Sequence, residues 1–164
     1  MSDLKRVSEI EINQDLDFQR VEWRIQRIGW VFIVIIALAS IAGAFGGGPL
    51  AHQTRSTSSG DLVIEYDRIA RHAAITRFDL HTPRAQGEVG VVFSTDYLHQ
   101  AELRTVMPEP DRTESGAGNT TFYFNLEPNA TVSFVFEPDD IGLRTIQIGL
   151  RGGSALRLKQ FVLP

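Results

Sequence analysis

The chain of 164 residues has no cysteine. This absence excludes disulfide bonds, thiolate nucleophiles and thiolate metal ligands together, so the fold has to be stabilised by packing. The length leaves room for only one domain of ordinary size. An export compartment permits disulfides without requiring them, so the missing cysteines are compatible with a domain outside the cytoplasm.

Positive charge is also scarce. Lysine and arginine number 16 against 20 aspartates and glutamates, which gives a formal net charge of −4. Nucleic-acid binding requires a concentrated basic surface to neutralise phosphates, and no basic run appears along the chain. We therefore expect no nucleic-acid partner.

Catalytic and metal-binding signatures are missing as well. The four histidines stand in separate segments without the spacing that brings ligands onto one metal, at His52, His72, His81 and His99. No G-x-S-x-G elbow or S-x-x-K motif places a base beside a hydroxyl. The sequence therefore predicts no metal, no cofactor and no enzymatic activity.

One long apolar segment is present and decides the predicted topology. Residues 28–45 contain no charged side chain, and at about 1.5 Å per helical residue this run is long enough for a bilayer core. We predict a transmembrane helix over residues 28–48. A cleavable signal peptide is the alternative, because residues 37–39 and 42–44 have the small-x-small form that signal peptidase accepts. Six acidic residues in a 27-residue n-region argue against cleavage.

The flanking charges predict the orientation of this helix. Arg20, Arg24 and Arg27 precede the apolar run, whereas a single arginine follows within the next seventeen residues. The positive-inside rule then keeps the N-terminus in the cytoplasm of a bacterial inner (plasma) membrane and places the C-terminal domain in the periplasm or outside the cell. Trp23 and Trp30 lie one heptad apart, and with the three arginines they are predicted interfacial anchors.

The remaining segments differ in composition. Residues 1–16 form a polar predicted cytoplasmic tail, and residues 17–27 have the spacing of an amphipathic juxtamembrane helix. Residues 49–60 are rich in Gly, Ser and Thr and are predicted to be a linker. Residues 61–164 alternate apolar and polar side chains, which predicts a β domain.

The β domain has enough predicted strands for two sheets. Eight runs of strand composition cover residues 62–66, 73–81, 88–94, 100–107, 120–126, 131–137, 142–150 and 155–163. Short connections and the lack of a long helical pattern favour a mainly β fold, an antiparallel immunoglobulin-like β-sandwich. Residues 112–118 are predicted to be an irregular loop.

Aromatic residues in this domain follow the strand period. Phe122, Phe124, Phe134 and Phe136 fall on one parity and are predicted core residues. Tyr123 and Tyr97 are predicted to be exposed and to make contacts with a partner.

Two groups of residues are candidates for partner binding. Ala39, Gly43 and Gly47 recur every four residues and predict a small-residue stripe on which another membrane helix packs, although Gly46–Gly48 also has the composition of a helix end. The second group is the charged segment after the linker, whose docking candidates are Glu65, Tyr66, Asp67, Arg68 and Arg71. Opposite charges that pair with one another in solvent would give the same pattern.

The order of three features resembles a group of bacterial proteins. A Trp/Arg-rich juxtamembrane helix, an apolar span ending in FGGGPL (45–50) and the segment LVIEYDR (62–68) follow one another within residues 20–71. In this order they resemble uncharacterised bacterial single-pass envelope proteins. The resemblance implies association with multi-pass YetF-like membrane proteins, and no catalytic residue carries over from it.

The sequence therefore predicts a membrane-anchored accessory protein. Its transmembrane helix and outer β domain would bind a partner membrane protein, in a hetero- or homo-oligomer, and the lipid bilayer would be the second partner. An envelope sensor or ligand-binding module is the alternative from another class, and a small membrane-anchored hydrolase is a third.

Overall fold

The computed structural model describes residues 16–43, 48 and 50–164, in two compact units that end and begin at Leu38 and Ala39. Most of the predicted cytoplasmic tail, residues 1–15, lies outside the described residues, as do Gly47 and Pro49.

A single long helix, α1 (Leu16–Ala42), contains both the predicted juxtamembrane helix and most of the predicted span. Its 27 residues correspond to about 40 Å at the usual helical rise. The segment Arg20–Ala42 is long and apolar enough to cross a membrane, and none of its most apolar window is buried.

The helix ends six residues before the predicted limit of the span. Gly43 has a φ of 91°, a left-handed conformation that stops a helix, and its N–H donates to the Ser40 carbonyl at 3.1 Å. A Cβ on Gly43 would lie 2.6 Å from the Cα of Gly48. Any larger residue at position 43 would therefore clash with the backbone of Gly48. The prediction of a helix to residue 48 overlooked this stop signal.

The rest of the chain is mainly β and forms two mostly antiparallel sheets. Its elements are β1 (His52–Ser56), β2 (Val63–Asp67), β3 (Ile69–Arg71), β4 (Thr76–Thr82), β5 (Gly87–Ser94), α2 (Thr95–Leu98), β6 (Ala101–Met107), β7 (Arg112–Gly116), β8 (Asn119–Leu126), β9 (Ala130–Pro138), β10 (Gly142–Leu150) and β11 (Ala155–Leu163). Sheet A has the order β1-β2-β4-β9-β6, and sheet B has the order β3-β11-β10-β5-β8-β7. The single parallel pairing between these strands joins β3 to β11.

The two sheets share one aromatic core. Sheet A contributes Phe134, and sheet B contributes Phe93 and Phe122, whose ring centroids lie 4.6 and 5.2 Å from that of Phe134. All four phenylalanines predicted to lie in the core are buried: Phe122, Phe124, Phe134 and Phe136. This confirms that they point to the inner faces of their strands. Aromatic rings at these separations attract one another in addition to removing apolar area from water.

All eight predicted strands are present, and two other predictions for this domain need correction. Residues 52–56 are not a linker: they form edge strand β1, which pairs along its length with β2. Residues 112–118 are not an irregular loop, because β7 pairs with β8 through a two-residue turn. Both strands are polar and largely exposed, so they lack the apolar alternation on which the predictions depended.

The central position of Phe134 predicts a large loss of stability on truncation. Phe134→Ala should lower the free energy of unfolding of the full chain by about 3–5 kcal/mol, since it leaves a cavity between the sheets. Phe161→Ala is the matched control, because Phe161 is 46% exposed. Urea unfolding in a neutral detergent, followed by circular dichroism, measures both. Equal losses in the two variants would contradict this core.

Candidate functional site

The passage of the chain from sheet A to sheet B occurs at Arg68. This residue separates β2 from β3, and its backbone is held on both sides. Its N–H donates to the Ala51 carbonyl at 2.8 Å, and its carbonyl accepts the N–H of Phe161 at 2.7 Å. Arg68 is therefore fixed against the strand β11 of the opposite sheet, although its side chain is exposed.

A buried polar network supports this crossing. Gln160 is fully buried, and its Nε2 donates to the Asp67 carbonyl at 2.8 Å and to Thr76 Oγ1 at 3.1 Å. The Tyr97 hydroxyl donates to Gln160 Oε1 at 3.2 Å. Because buried polar groups are costly unless they are bonded, this network fixes the position of β11 relative to β2. Burial also raises the pKa of the Tyr97 phenol above its ordinary value.

Between β1 and β11 lies an open groove of about 540 Å³, which we call the basic cleft. Arg55 of β1 pairs directly with Ile64, a core residue, so Arg55 projects from the inner side of sheet A at its edge. Arg157 and Lys159 lie on β11, and Leu158 between them points into the core. Tyr66 and Leu156 complete the apolar part of the lining, and Gln53 and Ser56 add neutral polar groups.

The cations of the basic cleft differ from most other arginines of the domain, although Arg77 of β4 also makes no ion pair among the described residues. Five other arginines form ion pairs with carboxylates within 4.0 Å, namely Arg84, Arg104, Arg112, Arg144 and Arg151. Among the described residues, the side chains of Arg55, Arg68, Arg157 and Lys159 make no ion pair or hydrogen bond. The described lining of the cleft also includes no carboxylate. This arrangement is suited to binding an anion.

The outer face of sheet A carries a second group of titratable side chains. Glu65 lies between two histidines, with Oε2 3.8 Å from His52 Nε2 and Oε1 3.7 Å from His81 Nε2. Asp67 Oδ1 is 3.5 Å from His52 Nδ1. His81 Nδ1 is 2.8 Å from the Thr131 hydroxyl across the β4–β9 pairing, a contact between a base and a hydroxyl that no sequence motif indicated.

This second group lies in solvent on a pleated surface. The side chains of His81 and Glu65 are 37% and 39% exposed, so water competes with their hydrogen bonds and weakens their interaction. Within the described ranges, no cluster of three or more His, Cys, Asp or Glu residues is arranged to hold a metal ion. The contacts account for a local charge network and do not exclude water as a hydrolytic site would.

The outer face of sheet B has a packed group centred on Tyr123. The guanidinium groups of Arg112 and Arg151 lie 4.0 and 5.3 Å from its ring centroid, and its hydroxyl donates to Glu114 Oε2 at 2.8 Å. Gly90 leaves room for this ring, because a Cβ there would lie 3.3 Å from a ring carbon. Cation–π contacts of this kind stabilise the outer layer of the sheet.

The docking candidates do not form one surface. Three tyrosines predicted as contact residues are buried and offer little surface to a partner: Tyr66, Tyr97 and Tyr123. Tyr66 and Tyr97 pack on Phe78 in the core, and Tyr123 lies under arginines. The exposure predicted for Tyr97 and Tyr123 is therefore wrong.

The charged docking candidates lie on different surfaces of the domain. Glu65 and Asp67 face outward from sheet A, where the histidines contact them. Arg68 lines the basic cleft, and Arg71 is an exposed residue at the end of β3. The structure thus brings Arg68 together with Arg55, Arg157 and Lys159, which the sequence alone did not single out.

An exposed apolar row crosses sheet B near its β3 edge. Phe161 pairs with Leu143 on one side and with Ile69 on the other, so the three side chains lie in line on the outer face. Phe161 is 46% and Leu143 62% exposed. Large apolar side chains grouped in this way are typical of a contact surface.

The helix candidates occupy different settings. Ala39 lies on α1 and is half-buried, whereas Gly43 follows the end of the helix and is buried, and Gly47 lies outside the described residues. The predicted helix-packing stripe therefore does not continue as a helical face through Gly43.

The interfacial anchor candidates all lie on α1: Arg20, Trp23, Arg24, Arg27 and Trp30. Trp23 and Trp30 are 59% and 62% exposed, and the Arg27 guanidinium lies 4.5 Å from the Trp23 ring centroid. Their role as anchors stays a prediction.

Comparison with known proteins adds no assignment to this geometry. No protein-family model matches the chain, and the curated proteins contain no similar sequence. A fold alone does not determine an activity, so the surfaces of the protein carry its functional information.

The buried Tyr97 phenol predicts a loss of stability in alkali. Its pKa is higher in the folded state than the value of about 10 expected in the unfolded chain, so above pH 10 the unfolded state releases a proton that the folded state retains. Its contribution to the unfolding free energy is complete below pH 10 and should fall by about 1.4 kcal/mol per pH unit above it.

Tyr97→Phe should remove this component from the alkaline pH dependence of unfolding by urea. Tyr123→Phe removes the same hydroxyl from the outer face of sheet B and serves as the matched control. Identical pH dependence in the Tyr97→Phe variant and the original protein would show that Tyr97 does not have the environment described.

Proposed function

We propose that this protein is a single-pass membrane-anchored binding module. The single observation that carries the proposal is the exposure of α1: every large apolar side chain between Ile28 and Ile41 is exposed. Exposed apolar area of this extent requires a hydrocarbon solvent or a partner helix. A bilayer supplies the hydrocarbon, and another transmembrane helix would be the partner.

The orientation follows from the charges at the helix ends. Arg20, Arg24 and Arg27 favour a cytoplasmic N-terminus in a bacterial inner membrane, which leaves the β domain in the periplasm or outside the cell. Trp23, whose ring contacts the Arg27 guanidinium, supports an interfacial position for this end of the helix, because tryptophan is enriched where a membrane meets water.

The order of the strands supports an immunoglobulin-like arrangement for the outer domain. The order β2-β4-β9-β6 corresponds to strands A-B-E-D of that fold, and β11-β10-β5 corresponds to G-F-C. The chain also leaves sheet A after β2 and continues in sheet B as β3. One departure lies in the middle of the domain, where β6 precedes the outer strands β7 and β8 along the chain.

The surfaces of the module favour recognition over catalysis. The row formed by Ile69, Phe161 and Leu143 is a contact surface for a protein, and Ala39 allows close approach of a second helix. Anchoring confines the domain to a thin layer, which raises its effective concentration near a partner in the same membrane. We therefore propose that the partner is a membrane protein, and the resemblance to single-pass envelope proteins favours a multi-pass one.

A pair of alanines on α1 tests the helix contact. Ala39→Leu should abolish co-purification of the partner in mild detergent, since the added side chain prevents close approach. Ala37→Leu is the matched control, because two residues along a helix turn the side chain by about 200° to another face. Gly43 is unsuitable for this test, since a leucine at its φ of 91° would strain the helix end itself.

The sandwich contact is tested in the same experiment. Replacing both Leu143 and Phe161 by serine should weaken recovery of the partner, whereas Ile75→Ser, at a residue that is 72% exposed elsewhere, should not. Undiminished recovery in Ala39→Leu and in the double serine variant would contradict partner binding through these surfaces.

A further inference from the structure

The geometry points to the basic cleft as a binding site for a phosphate-bearing anion. Three arginines and one lysine line it, and none of the four pairs with a carboxylate among the described residues. The protein as a whole carries an excess of acidic residues, so four unpaired cations at one groove are not explained by composition.

Electrostatic repulsion gives the first argument. Like charges that line the same groove repel one another, and the repulsion is relieved either by a carboxylate of the chain or by a bound anion. Carboxylates fill this role at Arg84, Arg104 and Arg112, which pair with Asp61, Glu137 and Glu88. At the basic cleft, Glu65 and Asp67 are close in sequence but face outward toward His52.

The types of side chain give the second argument. Guanidinium groups present a planar fork of donors that matches phosphate oxygens, and lysine adds a point charge. One carboxylate would need one or two such groups, whereas four cations suit an anion with more charge or more oxygens. Gln53 and Ser56 supply neutral hydrogen-bonding groups to the same groove.

The framework that holds the cations gives the third argument. Arg68 is fixed by two backbone hydrogen bonds, and Gln160 ties the adjacent Asp67 carbonyl to β11. Arg157 and Lys159 project from that same strand. The backbones that carry three of the four cations are thus held together before a ligand arrives, which lowers the entropy cost of binding.

Two kinds of molecule carry a phosphate of the proposed kind. It belongs to the headgroup of an anionic lipid or to a soluble phosphorylated compound, and the chemistry of recognition is the same for both. Only nine residues separate Ala42 from His52, so the domain stays within reach of the membrane that would hold α1. The soluble source does not depend on the proposed anchoring, and neither source requires a partner protein.

The absence of cysteine allows a direct experiment on the full chain. Ser56→Cys places one label site at the cleft, where an environment-sensitive fluorophore reports occupancy. In nanodiscs of neutral phosphatidylcholine, inorganic pyrophosphate should shift the emission saturably. Arg55→Gln combined with Arg157→Gln should raise the Kd about tenfold or more. Arg84→Gln combined with Arg104→Gln removes the same charge from ion-paired sites and should change the Kd by less than about twofold.

A second arm distinguishes the sources. A shift in phosphatidylglycerol nanodiscs without pyrophosphate, lost in the Arg55/Arg157 variant, assigns the site to lipid headgroups. A response to pyrophosphate alone assigns it to a soluble phosphate compound. No shift with either probe, or equal weakening in both double variants at unchanged thermal stability, would overturn the proposal. Because no partner is present in this assay, its failure and the failure of partner co-purification are independent results.

Discussion

The uncovered apolar surface of α1 is the constraint on which the rest of this account depends. Its large apolar side chains between residues 28 and 41 are all exposed: Ile28, Trp30, Val31, Phe32, Ile33, Val34, Ile35, Ile36, Leu38 and Ile41. Complete burial of a side chain of this kind gains about 1.5–3 kcal/mol, and because these side chains are 42–78% exposed, a large part of that gain is not realised in water. We therefore propose that hydrocarbon or a partner helix surrounds α1.

The proposed anchoring of the helix relates the surfaces of the β domain to the proposed function. A tethered domain samples a thin layer next to the bilayer, where weak contacts suffice because the effective concentration is high. Many arginines of the domain pair with carboxylates, whereas the cations of the basic cleft make no ion pair among the described residues, and we propose that an external anion binds there. The apolar row through Phe161 lies on the same strand as Arg157 and Lys159, so one edge of the sandwich combines both kinds of contact.

Sequence reasoning succeeded where alternation depends on burial. The parity of β8 and β9 located the core phenylalanines because one face of each strand packs against the opposite sheet. It failed for β1 and β7, whose residues are mostly exposed and polar, because edge strands need no apolar face. Tyr123 does point away from Phe122, yet it is buried, because Arg112 and Arg151 come from other segments to cover it. Gln160 was recognisable in principle, since it occupies an inward position between Leu158 and Val162. The basic cleft was not, because it joins strands separated by about a hundred residues.

The most direct measurement of the central claim is labelling of single cysteines in a chain that has none of its own. Ser154→Cys lies in an exposed turn of the β domain, and Ser8→Cys lies in the tail before α1. A membrane-impermeant maleimide should label Ser154→Cys in intact spheroplasts and Ser8→Cys only after lysis, and both proteins should stay in membranes washed with alkaline carbonate. Labelling with the reverse sidedness would contradict the proposed orientation. Labelling of both residues from the same side, or release of the full-length chain into the soluble fraction, would contradict a permanent crossing of the bilayer by α1.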